Sequence, residues 1–127
     1  MRRLLPLLLL GVLAAPANAQ PAPNYVIFFQ EWSAALDDAA QGVITQAATY
    51  AKAHPQSRIQ ITGYADITGG QRANLLVSEL RAQMVEDQLT TDGISVGRIR
   101  LSAVGSIPSA MSKQQARRVT VSFLPTR

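Results

Sequence analysis

The chain has 127 residues, a formal net charge of +4 at pH 7, a single histidine and no cysteine. That length suits one domain with a modest core, and the missing cysteines exclude disulfides, thiolate metal sites and a lipid-modified N-terminal cysteine. One histidine with scattered acids supplies neither a metal ligand set nor a triad, so no metal, cofactor or catalytic residue is expected.

Arg2 and Arg3 precede an apolar run over residues 4–14, and Ala17-Asn18-Ala19 then fits a small-x-small cleavage site. This pattern predicts a secretory leader over residues 1–19, removed before Gln20. The run is too short to span a bilayer, and no later run approaches spanning length, so no membrane span is expected in the mature chain. The expected location is the bacterial periplasm, with association to the outer membrane or wall open. Removing Arg2 and Arg3 lowers the net charge to +2.

Residues 20–23 (QPAP) read as an extended, mobile leader, and residues 24–125 as one domain. Residues 24–29 (NYVIFF) predict a buried strand. Ser33 is the expected cap of the first helix, with Asp37 and Asp38 in its first turn. Leu36, Ala40, Val43, Ile44, Ala47 and Ala51 form its apolar face, and His54-Pro55 ends it. Residues 58–62 alternate with period two, placing Ile59 and Ile61 inward. A loop over residues 64–70 leads into a helix over residues 71–89, closed by Asp92-Gly93. Residues 98–104 alternate again, residues 105–109 are turn material, and residues 112–116 predict one helical turn. Residues 118–123 form the last strand, with Val119, Val121 and Phe123 inward. The order β-α-β-α-β-β predicts an α+β sandwich, with helices on one face of a small mixed four-stranded sheet.

After Asp92 there is no acid, while Arg98, Arg100, Lys113, Arg117, Arg118 and Arg127 follow. No aromatics interleave these cations, so they read as solvated strand charges, Arg117 included, rather than a nucleic-acid site. Gly69-Gly70 lacks the lysine and spacing of a phosphate loop.

Arg81 is the informative residue. Its helical neighbours at three and four residues are Val77, Ser78, Met84 and Val85, none of them acidic. A partly desolvated guanidinium needs a carboxylate from elsewhere. Asp66 is the local candidate, since the loop before the helix can fold back over roughly 15 Å and Gly69-Gly70 permits a tight path. Two readings stand. Asp66 and Arg81 form an internal ion pair, or Asp66 makes only an Asx turn. Alternatively both face a ligand carrying an ammonium and a carboxylate.

Gly63-Tyr64-Ala65-Asp66, Gly69, Asn74 and Ser78-Glu79-Leu80-Arg81-Ala82, followed by Arg117-Arg118-Val119, resemble the motifs of the OmpA-like domain family. This is the peptidoglycan-associated module of OmpA, MotB and Pal. Its acid and arginine lie fifteen residues apart, as Asp66 and Arg81 do here. The resemblance covers residues 25–123. It implies an OmpA-C-like β-α-β-α-β-β fold that binds the peptidoglycan stem peptide without turning it over. The aspartate takes the diaminopimelate ammonium and the arginine its carboxylate. It also suggests Asn74 as a brace for the loop and Arg118 as support for Asp66 or the site from the last strand; their plain alternatives are a helix-start polar residue and an outward strand residue. Trp32 borders the implied site and is expected mainly to pack. This chain departs from the pattern at Ala65 (for threonine), Gln30 and Trp32 (where acids are common), Leu80 (for a frequent arginine) and Ala116 (for asparagine). These departures motivate the alternative of a protein-interaction module, with another envelope protein as partner and peptidoglycan binding weakened or lost. Arg81→Ala is expected to weaken wall binding with little effect on folding.

Overall fold

The computed structural model describes residues 21–66, 69–106 and 113–125. The leader through Gln20, residues 107–109 of the expected turn and Ser112 of the expected helical turn lie outside them. The elements are β1 (Asn24–Phe28), α1 (Asp38–Ala53), β2 (Arg58–Ala65), α2 (Gln71–Thr91), β3 (Ile99–Ser106), α3 (Lys113–Ala116) and β4 (Arg118–Leu124). A 3-10 turn, Val96–Arg98, leads into β3. The strands form one mixed sheet in the order β1-β4-β2-β3; β2 and β3 are parallel, and β4 runs antiparallel to β1 and β2. The α+β architecture is the expected one.

Alternation builds the core. Ile59 and Ile61 of β2 and Val119, Val121 and Phe123 of β4 face the helices, where Ala40, Ile44, Ala47 and Ala51 of α1 meet them. Burying each Ile or Val contributes about 1.5–3 kcal/mol. The alanines on α1 let its backbone lie close to the sheet. β1 differs from the buried strand expected of NYVIFF. It is an edge strand, with Ile27 buried and Phe28 40% exposed, because only β4 pairs with it and only one face meets a helix.

The first helix also starts later than expected. Asp37, not Ser33, is its N-cap: the Asp37 carboxylate accepts from the Ala40 N–H at 2.8 Å. Ser33 instead shapes the preceding turn, its hydroxyl accepting from the Ala35 N–H at 3.0 Å. His54 closes α1 and stacks on Tyr50 at 3.9 Å. Arg98 donates to the Ala51 and His54 carbonyls at 3.0 and 2.8 Å, so this cation neutralises a helix C-terminus.

α2 carries an inverted pattern in its first half. Asn74, Ser78 and Arg81 are buried, while Leu75, Leu76, Leu80 and Met84 are exposed. Only from Ala82 through Val85 and Leu89 does the buried face become apolar. Gly63 explains the close approach of α2 to β2, since a Cβ there would overlap the Ser78 carbonyl oxygen. The Ser78 hydroxyl donates to the Leu75 carbonyl at 2.8 Å and accepts from the Gly105 N–H at 3.0 Å. Gly105 has φ 78, and the β2–β3 register shifts beside it, leaving Val104 as an extra residue.

Candidate functional site

Four parts of the chain meet at the C-terminal end of β2: the β1–α1 turn, Asp66, the first half of α2 and the start of β4. Arg81 projects from α2 into this junction and is 1% exposed. Its Nε donates to the Ser33 carbonyl at 2.8 Å, Nη2 to Gln30 at 2.9 Å and Nη1 to Tyr64 at 3.2 Å. The Phe29 ring lies 5.4 Å from the guanidinium carbon, within cation–π range. Desolvation by burial lowers the Arg81 pKa from its ordinary value; the Asp66 charge opposes that shift and the Arg117 charge adds to it. A guanidinium has five N–H donors. Among the described residues three are engaged, leaving one N–H on each terminal nitrogen.

Asp66 sits directly after β2 and is 6% exposed. Its ion pair is with Arg117, Nη1 to Oδ2 at 3.3 Å. Arg117 also donates from Nε to the Phe29 carbonyl at 3.1 Å. Two expectations are corrected here. Arg117 is not solvated, and the support for Asp66 comes from it rather than from Arg118. Arg118 lies over the Tyr64 ring at 4.2 Å and donates to the Gln115 carbonyl. Strand parity separates them: Arg117 shares the inward face of Val119, Val121 and Phe123, and Arg118 the outward one. That parity was the sequence signal for Arg117. The use of Arg98, Arg117 and Arg118 in caps, pairs and ring contacts also breaks up the basic C-terminal third.

Asn74 sits in the first turn of α2 and is buried. Its amide donates to the Gly69 carbonyl at 3.1 Å and to the Ser106 hydroxyl at 2.8 Å, tying the start of α2 to the end of β3. Trp32 closes the junction from outside. It is the one non-glycine residue with positive φ among the described residues, at 54°, and remains 52% exposed. Its indole lies so close over Gly69 that a Cβ there would overlap the ring. Trp32, Ala65, Asp66, Asn74, Val77 and Arg81 enclose a cleft of about 10 Å³. That is room for roughly one water.

Arg81 also corrects the expectation that its removal leaves folding untouched. It holds the β1–α1 turn at two carbonyls and the end of β2 at a third, so it is structural as well as a candidate ligand contact.

These features define an α+β domain with an acid and an arginine converging on one end of its sheet. The chain belongs to the OmpA family, whose model matches residues 28–120. It is 35% identical over 109 residues to the probable lipoprotein YiaD of Escherichia coli, covering 81% of this chain and 49% of that protein. It is 34% identical over 95 residues to the peptidoglycan-binding protein ArfA of Mycobacterium tuberculosis, covering 72% of this chain and 29% of that protein. The chain thus spans about half or less of these two relatives. The crystal structure of the peptidoglycan-associated lipoprotein from Burkholderia pseudomallei superposes with a TM-score of 0.73 at 28% identity, covering 78% of this chain and 89% of that one. The family is non-enzymatic, and by name these relatives are a probable lipoprotein, a peptidoglycan-binding protein and a peptidoglycan-associated lipoprotein.

Proposed function

We propose that this domain binds peptidoglycan non-covalently through the diaminopimelate of the stem peptide. Asp66 receives the side-chain ammonium and the two remaining Arg81 N–H groups hold the carboxylate. The observation that carries this reading is the pair itself: a buried guanidinium with donors in reserve and a buried carboxylate lining one cleft. The names of ArfA and the Burkholderia lipoprotein support the same partner. Asn74 and Arg117 hold the acid and its loop in place, and Trp32 must move off Gly69 for a diamino acid to enter. On this reading residues 1–19 direct export and are cleaved before Gln20, and residues 24–125 act in the periplasm.

A second reading, a protein-interaction module that no longer binds the wall, draws on the closed cleft. Co-sedimentation of the exported chain with purified sacculi separates them, using Asp66→Asn as the control. Pelleting by the wild type alone supports the first reading. If neither protein pellets, and the wild type co-purifies with an envelope protein, the second reading replaces it.

A further inference from the structure

The first half of α2 turns an apolar surface to solvent. Leu75, Leu76 and Leu80 are 41%, 51% and 54% exposed, and Val104 of the adjacent β3 is 50% exposed. Between α2 and β3 runs a groove of about 720 Å³ lined by Leu75, Leu76, Val104, Gly105, Arg72 and Glu79 among others. β3 is an edge strand of the sheet. A contiguous apolar surface of this kind on a small domain marks an interaction site rather than ordinary exposure.

The charges on this face indicate its occupant. Arg72 and Glu79 are exposed, and among the described residues neither makes an ion pair or side-chain hydrogen bond. Seven residues of helix separate them by roughly 10.5 Å along the axis and about 20° short of two full turns, so both lie on one face. The point midway between them falls between Leu75 and Leu76. A twofold axis there, normal to α2, reverses the helix. It sets Arg72 of each copy against Glu79 of the other, and Leu75 of each against Leu76 of the other. Such self-complementarity is the requirement for an isologous contact.

We propose that this face is the interface with a second copy of the chain, the two α2 helices packing antiparallel about that axis. At an interaxial distance of about 8–10 Å both ion pairs are within side-chain reach. The apolar centre with a charged pair at each end also fixes the register, because a slide along the helix separates both pairs at once. Arg81 lies on the opposite, buried face of α2, so pairing does not cover the cleft it lines.

The test is sedimentation equilibrium of the exported chain, with circular dichroism to certify each variant's fold. All substitutions are at exposed positions. The wild type is expected to show a concentration-dependent monomer–dimer equilibrium. Leu76→Asp abolishes it by placing two carboxylates at the axis. Arg72→Glu and Glu79→Arg each replace two opposite-charge pairs by like-charge pairs and raise the dissociation constant roughly tenfold. The double variant Arg72→Glu/Glu79→Arg restores it. A wild type that stays monomeric up to about 1 mM overturns the proposal. So does a dimer that survives Leu76→Asp, or one that both single reversals weaken and the double variant fails to recover.

Discussion

Replacing Arg81 by alanine is expected to cost folding stability before it costs binding. The side chain donates to three backbone carbonyls, of Ser33, Gln30 and Tyr64, at 2.8, 2.9 and 3.2 Å. Hydrogen bonds from a charged donor contribute about 1.5–3 kcal/mol each. Against this stands the desolvation of the guanidinium, the same effect that lowers its pKa. Alanine relieves that cost but leaves the carbonyls without partners and Asp66 with one fewer neighbouring cation. Breaking a buried charged arrangement in this one-sided way typically costs about 3–5 kcal/mol. A domain of this size has about 5–15 kcal/mol in total, and each kcal/mol moves the midpoint by about 4–8 °C. Thermal and urea denaturation followed by circular dichroism should therefore show a fall of at least about 12 °C. Arg81→Lys should land between, since it keeps the charge but cannot reach three carbonyls at once. A loss below about 1 kcal/mol for Arg81→Ala would refute the structural role assigned to the guanidinium.

Asp66→Asn is the better probe of ligand binding, because it keeps shape while removing charge; sacculus affinity should drop roughly 30-fold, about 2 kcal/mol, and undiminished retention counts against the ammonium contact. Trp32 is the only tryptophan, so its emission should change when a diaminopimelate-containing stem peptide displaces it from Gly69; a flat titration despite sacculus binding means the ring does not gate the cleft. Gly69→Ala should dislodge the indole without ligand, shifting the emission to the red at a cost of about 1–3 kcal/mol. Gly63→Ala forces a methyl against the Ser78 carbonyl, and the backbone of α2 cannot retreat as a side chain can. Its expected cost is about 3 kcal/mol, and a wild-type melting curve for this variant would contradict the close helix–strand approach.

Local patterning determined the elements and their order. Period-two alternation placed Ile59, Ile61, Val119, Val121 and Phe123 on the core face, and helical spacing placed Ala40, Ile44, Ala47 and Ala51 opposite them. Such periodicities act over neighbouring residues, so a sequence displays them directly. The spacing of Asp66 and Arg81, with apolar neighbours around the arginine, likewise showed that a cation needed a distant partner. The partners themselves depended on tertiary structure. Backbone carbonyls of Gln30, Ser33 and Tyr64 carry no sequence signature, and they reach Arg81 only because the β1–α1 turn and the end of β2 converge on α2. Arg117 rather than Arg118 pairs with Asp66 because the pleat of β4 turns alternate side chains to opposite faces. Trp32 seals the cleft because Gly69, with no Cβ, leaves the space its ring fills. The exposed leucines of α2 show the same division: their identities are in the sequence, but their direction was set by which face of the helix the sheet claimed.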